Sequence, residues 1–472
     1  MPAADANYFT RPSDQPPGFV PFAARPLPPL RPVPLPHPTA LPALPYPQRP
    51  SPFPDYELTT HLTPCAQPRA HRSATQRSIR PPYPPPQQEQ LKSPSTREDK
   101  ADRAREADAL RERMWAQRVE MLGEPSWQER EEPVLWAMVN RFLRKERMGM
   151  GGGGGVTLFF VHANGYPKET WEPVIGILLD MYDKVDEIFV WETYNHGDAA
   201  LVNRENLGDT FDWADNARDV LQFLLFYRPG LGAGAPVCLP PHERDEQRRV
   251  IGVGHSHGGE ILVRAALHAP ELFDALLLVE PVIIMETLAV PTRRASQRRR
   301  DELLLRTTLA RRARWPSMEH ARDFFARAPF FQSWHPAVLH AYVTYALCPL
   351  PSSSPGPGPE GKAVMLKQSP FDEASFYVEP RAPAETWFLL PLLDERVELR
   401  WVLGNDLAGF QGGEAYARHM VWRRPGNSSN TVIGEAGHFI PQQAPESLAR
   451  EIADLLIRRD ALPPAAQWRA RL

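Results

Sequence analysis

Hydrophobic positions along this chain fall into short continuous runs, separated by stretches whose apolar residues recur at helical spacing. Val156-Thr157-Leu158-Phe159-Phe160-Val161 is the clearest run, the pattern of a strand covered on both faces. Comparable runs follow at 187–191, 250–253, 271–279, 397–403 and 431–433, while 169–179, 213–227, the stretch from Glu260 and 445–459 have helical period. Strands alternating with helices predict an α/β fold, a mostly parallel sheet covered by helices on both faces. Ahead of it, 56–62 alternates like an edge strand and 133–143 reads as another strand. The stretch 96–121 is charged and helix-favouring, the pattern of a solvated helix.

One interval breaks this rhythm. About 115 residues separate Val282 from Val397, and most of 293–347 reads as helix. That is too long for a simple crossover and predicts a helical cap over the C-terminal edge of the sheet, inserted after the sixth strand. The front of the chain is different again. Residues 1–52 are punctuated by proline and lack periodicity, which predicts a disordered or polyproline-II tail. Residues 151–155 are a glycine run that reads as a flexible joint. The expected organisation is a tail at 1–52, core at 53–288, cap at 289–395, the rest of the core at 396–462 and a C-terminal tail at 463–472.

Composition narrows the function classes. A net charge of −3 gives no electrostatic case for a nucleic-acid partner. Cys65, Cys238 and Cys348 are scattered without metal-ligand spacing, so neither a metal, a cofactor nor a disulfide framework is expected. With no signal-peptide pattern and no apolar run near ~18 residues, a non-secreted protein without a membrane span is expected. The final Ala470-Arg471-Leu472 resembles the Ser-Lys-Leu peroxisomal address, which predicts a peroxisomal import receptor as partner; the alternative location is the cytoplasm.

Candidate chemistry centres on Gly254-His255-Ser256-His257-Gly258, set between the apolar run 250–253 and the helix that follows. Gly-x-Ser-x-Gly in a strand-to-helix context is a sharp turn that lifts a serine hydroxyl above the sheet, at a helix N-terminus. A serine needs a base, itself oriented by a carboxylate. His438, in the loop Gly434-Glu435-Ala436-Gly437-His438 after the last strand, is the best-placed histidine. His255 and His257 flank the serine too closely to turn back onto it. Glu280, ending the run 275–279, is the favoured acid, and Asp406, after 397–403, is the alternative. Oxyanion donors are expected at the backbone N–H of His257 and at that of Tyr166, in the turn His162-Ala163-Asn164-Gly165-Tyr166-Pro167.

That turn, with Trp171-Glu172-Pro173, Asn195-His196-Gly197-Asp198, Asp212-Trp213, the Ser256 motif, Glu280-Pro281 and Gly437-His438, resembles a fungal branch of the α/β-hydrolase superfamily. The branch includes toxin-biosynthesis hydrolases and the peroxisomal acyl-CoA hydrolase of mycophenolic acid biosynthesis. The resemblance spans roughly 54–460. It implies Ser256 as nucleophile, His438 as base, an acid after the sixth strand, and a small-molecule acyl ester or thioester as substrate. Aspartate is the acid the resemblance leads one to expect there; this chain carries Glu280, and Asp406 stays open. Nine arginines from Arg293 to Arg314 crowd the start of the expected cap and suit a phosphate-bearing substrate or a solvated face. Phe324, Phe325, Phe330, Phe331 and Trp334 read as acyl-pocket lining or cap core. A hydrolase-fold binding protein without activity is the competing reading, although every catalytic role can be filled.

Overall fold

The computed structural model of the chain describes residues 7–14, 24–84, 97–121, 129–147, 155–230, 234–242, 249–285, 291–351, 363–379, 381–407 and 413–461, with backbone alone for 97–100 and 291–298. Its main sheet has eight strands: β1 (Tyr56–Pro64), β2 (Trp136–Arg144), β3 (Val156–Val161), β4 (Val185–Glu192), β5 (Val250–His255), β6 (Phe273–Val279), and, after the cap, β10 (Glu398–Gly404) and β11 (Ser428–Ile433). They lie in the order β1-β2-β4-β3-β5-β6-β10-β11. The first two joints, β1 with β2 and β2 with β4, are antiparallel; the remaining strands are parallel. The reversal of strand order around β3 and β5 is where open sheets of this kind place their sites.

The apolar runs account for the middle of the sheet. Leu158, Phe159, Phe160 and Val161 of β3 are all fully buried, as are Leu276, Leu277 and Leu278 of β6. On one face Phe159, Val161 and Leu278 pack with Val220 and Leu221 of the helix Trp213–Gln222 and with Ile261 and Leu262 of the helix His257–His268. On the other, Phe160 and Val253 pack with Ile175 and Leu178 of the helix Glu172–Met181 and with Leu448 and Ile452 of the helix Pro445–Ala461. Each such side chain contributes about 1.5–3 kcal/mol relative to exposure.

The interval after β6 is the helical cap. It carries helices at Pro291–Leu309, Met318–Arg327 and Pro336–Tyr345. A small antiparallel sheet of β7 (Arg314–Trp315), β8 (Leu347–Pro349) and β9 (Val364–Leu366) joins them, in the order β7-β9-β8. Strands of two or three residues have no readable period. The aromatic stretch of the cap forms its core: Phe325, Phe331, Trp334 and Tyr342 pack on one another, and Trp334 and Tyr342 pack on Tyr166 of the core. Of the arginines at its start, Arg306 pairs with Asp108, Arg311 with Glu373, and Arg312 lies over Trp315 and Phe324. The side chains of Arg293, Arg294 and Arg298 lie outside the described residues.

Two expectations change here. The helix Arg97–Met121 buries one face, with Met114 at 2% and Arg118 at 3% exposure, against Leu305 of the cap and against Glu379. The front of the chain is likewise docked at several of its described positions. Phe9 is buried, its N–H donates to Asn430 Oδ1 at 2.7 Å, and Trp422 Nε1–H donates to its carbonyl at 2.7 Å. The Val33 N–H donates to the Tyr227 hydroxyl at 2.9 Å. Proline forbids helix and ladder, but an extended chain can still lie on a surface through such anchors. Arg25 is the strongest of them, with its guanidinium 2.8 Å from Asp212 and 2.8 Å from Glu385. Arg25→Ala is expected to cost about 3 kcal/mol of unfolding free energy, the low end for stripping one partner from a buried pair, because Arg264 and Arg381 still face Glu385. Equilibrium denaturation measures it; a variant within about 0.5 kcal/mol of wild type, the ordinary range for surface changes, contradicts the docked front.

Candidate active site

Ser256 stands between β5 and the helix His257–His268, at φ 56°, ψ −117°. A β-carbon in the left-handed half of φ space is strained, and such strain persists only where the surroundings enforce it. The enforcement is visible at the flanking glycines. A side chain on Gly254 would sit 2.5 Å from the Gly258 carbonyl oxygen, and one on Gly258 would sit 2.4 Å from that of Val161. The Ser256 N–H donates to Val279 O at 2.9 Å, and its carbonyl accepts from the Gly259 and Val282 N–H groups. The turn is therefore held by β3, β6 and its own helix.

Glu280, the residue after β6, also has positive φ, at 46°. Its N–H donates to Val402 O at 2.9 Å, which turns the side chain across the end of β10. There Oε1 accepts the Gly404 N–H at 2.6 Å and Oε2 lies 3.1 Å from His438 Nδ1. His438 Nε2 lies 3.1 Å from Ser256 Oγ. Carboxylate, imidazole and hydroxyl thus form one continuous line, with Glu280 2% and Ser256 8% exposed. A carboxylate on Nδ1 fixes the proton there and leaves the Nε2 lone pair toward the serine. Burial disfavours the imidazolium and lowers the His438 pKa below its usual 6.5, while Glu280 pulls it back up. Asp406 is exposed beyond β10, whereas Glu280 is buried.

His438 is held from behind. His255 Nε2 lies 2.8 Å from the His438 carbonyl oxygen, to which it donates, and the two rings are 5.2 Å apart. The Asn405 N–H donates to Ala436 O, and the Gly437 N–H to Gln443 Oε1, so the loop from β11 is pinned on both sides of His438. Phe439 packs edge-on against Phe330 of the cap at 4.9 Å. His257 turns away from the serine into a cage of Phe211, Trp213 and Phe376. Position in sequence gave no sign that His255 holds the loop that carries His438.

The turn after β3 lies beside the serine turn, because β3 pairs directly with β5. Neither the His257 nor the Tyr166 backbone N–H has an acceptor among the described residues. Behind the turn, Lys168 is buried among Glu169, Glu192 and Asp198, and a side chain on Gly197 would collide with the Glu192 carboxylate at 1.9 Å. Asp198 also pairs with Lys367 of the cap segment at 2.6 Å. The Asn-His-Gly-Asp stretch is thereby accounted for as the seat of the turn. Among the described residues no group of histidine, cysteine and carboxylate side chains could hold a metal, and no helix is long and apolar enough to cross a membrane.

Comparisons with known proteins give the chain a family and a set of fungal relatives. The chain is 26% identical over 224 residues to the type I acyl-CoA thioesterase mpaH of Penicillium roqueforti, covering 47% of this chain and 46% of that protein. It is 32% identical over 133 residues to the peroxisomal membrane protein LPX1 of Saccharomyces cerevisiae, covering 27% and 31%. Fungal abhydrolase-domain proteins such as AKT2 of Alternaria alternata match at 24% over 231 residues, 44% of this chain and 83% of that one. The chain spans only a third to under half of the length of the first curated relatives it matches. In fold, the peroxisomal alpha-beta-hydrolase Lpx1 of Saccharomyces cerevisiae superposes with a TM-score of 0.55 at 17% identity, over 87% of this chain and 92% of that one. Residues 158–451, which take in most of β3 and the positions of Ser256, Glu280 and His438, match the alpha/beta hydrolase family, and the chain belongs to that family.

Proposed function

We propose that this hydrolase cleaves acyl esters or thioesters through an acyl-enzyme, with Ser256 as nucleophile, His438 as general base and acid, and Glu280 as the orienting carboxylate. The observation that carries the reading is the unbroken Glu280–His438–Ser256 line, with 3.1 Å at each step. As Ser256 Oγ attacks the acyl carbon, its proton passes to His438 Nε2. The charge on the carbonyl oxygen is met by the N–H groups of His257 and Tyr166, assisted by the helix N-terminus. Collapse breaks the bond to the leaving sulfur or oxygen, which takes the proton from His438. Water then repeats the sequence on the acyl-enzyme and frees the acid.

Acyl-CoA is the substrate class we favour, on the strength of the thioesterase relatives, and the peroxisome is the compartment we favour because the relative LPX1 is a peroxisomal protein. The proposed import signal, Ala470-Arg471-Leu472, lies outside the described residues. Thiol release from a panel of acyl-CoA esters, run beside simple oxygen esters of the same acids, tests the assignment. Turnover of the thioesters is expected. Turnover of the oxygen esters alone retains the serine mechanism and removes coenzyme A.

The pH dependence follows from the burial of the base. His438 must be neutral to accept the serine proton, and its pKa lies below 6.5. The acid limb of kcat/KM is therefore expected to have its midpoint below that value. Because Glu280 raises the His438 pKa, Glu280→Gln is expected to move any residual acid limb lower still. A wild-type midpoint above 6.5 in a pH–rate profile contradicts the buried base.

A further inference from the structure

We infer that His196 is a positioning residue for the oxyanion turn, acting as the hydrogen-bond acceptor that fixes Gly165 and so sets the direction of the Tyr166 N–H. The inference rests on the serine-hydrolase reading above, which gives that N–H its role.

His196 follows β4 and is fully buried. Its Nε2 accepts the Gly165 N–H at 3.1 Å and lies 3.0 Å from the side-chain nitrogen of Gln368. Its Nδ1 lies 3.0 Å from Asn195 Oδ1. A neutral imidazole has one N–H and one lone pair. Two donors converge on Nε2, so the lone pair is there and the proton is on Nδ1, given to Asn195. The cation has no place in this arrangement. Burial, His162, His257 and Arg311 all press the His196 pKa well below the usual value, which keeps the acceptor available.

The turn itself needs such a tether. Gly165 has φ +93°, a conformation that glycine adopts but does not enforce. Its N–H is the competitor of Tyr166 as an oxyanion donor, and His196 occupies it. The Tyr166 N–H, next along the chain, is left without an acceptor among the described residues. Three further hydrogen bonds keep the turn in register. His162 gives Nδ1–H to Ala163 O at 2.8 Å and accepts the Thr193 N–H at Nε2, 3.1 Å away. Asn164 Nδ2 donates to Glu373 O at 3.0 Å. Gln368 belongs to the segment after β9, so the nitrogen that holds the turn is also bonded to the cap insertion.

Two experiments test this. In the wild-type protein, ¹⁵N spectra of labelled histidine are expected to show His196 protonated at Nδ1 alone; protonation at Nε2 overturns the inference and requires no variant to fold. In kinetics on an ester that the wild type turns over, His196→Ala is expected to lower kcat by about 10–100-fold with KM changed less than about threefold, the size of a misaimed catalytic group. Affinity for a trifluoromethyl ketone, which Ser256 converts to an oxyanion, should fall by the same factor, while the methyl ketone is unaffected. His196→Gln places an amide oxygen at comparable reach and should recover most of the loss. Equal impairment of the alanine and glutamine variants, or an alanine variant with wild-type ketone discrimination, overturns it. A folded wild type with no turnover and no trifluoromethyl ketone binding instead removes the hydrolase reading on which it stands.

Discussion

Ser256→Ala is expected to lower kcat by on the order of 10⁴–10⁶-fold while leaving the protein folded. In the proposed mechanism the hydroxyl oxygen forms the bond to the substrate, and nothing beside it can replace it. His255 is committed to the His438 carbonyl and His257 to its aromatic cage. Alanine adopts φ 56° with about the same strain as serine, and the backbone bonds of the turn do not involve the hydroxyl. What activity remains should come from the two oxyanion N–H groups and from binding. Steady-state kinetics with a melting curve on the same preparation separate the loss of chemistry from a loss of fold. A variant within tenfold of wild type would remove the serine from the mechanism.

Glu280→Gln is expected to lower kcat by roughly 10⁴-fold, whereas Asp406→Asn should remain near wild type. The glutamate accepts on both oxygens, from the Gly404 N–H and toward His438 Nδ1. A glutamine has one acceptor oxygen and one donor nitrogen. If its oxygen stays with Gly404, the NH₂ faces Nδ1 and forces the imidazole proton onto Nε2, the wrong tautomer for a base. If it flips, the NH₂ meets the Gly404 N–H and a buried donor loses its partner. Asp406, by contrast, is exposed beyond the end of β10. Measured kcat for the two variants decides between the acids. The reverse order of effects would make Asp406 the orienting group and Glu280 a structural carboxylate.

The sequence was most legible where one physical signal acts alone. Strands β3, β5 and β6 are covered on both faces, so every side chain reports burial and the runs are continuous. The serine turn carries its own constraint in Gly254 and Gly258, because any larger residue would strike backbone. His438 was legible from its loop position after the last strand. Between Glu280 and Asp406, chain position favoured Glu280 only narrowly, since both follow strands at the same edge. The difference lies in the bond from Glu280 N–H to Val402 O, which aims one side chain inward.

Other features left little trace in the residue pattern. The helix Gly197–Asn203 is seven residues of small and mixed side chains, too short to show a period. The helix Arg97–Met121 buries Arg118 against Glu379 and pairs Asp108 with Arg306, so part of its inner face is charged and looks solvated in sequence. The same holds for Arg311, which reads as part of a basic cluster and is spent on Glu373. For the front, proline content is in keeping with the absence of α-helix and strand among its described residues but is silent on Phe9, Arg25 and Val33, whose partners lie far along the chain. His196, His162 and His255 act through hydrogen bonds that tertiary structure alone brings together.

Incubation of the purified protein with a fluorophosphonate, followed by peptide mass spectrometry, tests the central claim most directly. An adduct on Ser256 that is absent from Ser256→Ala, and greatly slowed in Glu280→Gln, is the predicted result. A folded wild-type protein that takes up no label at Ser256 would contradict the serine-hydrolase account and leave a hydrolase fold that binds its ligand without cleaving it.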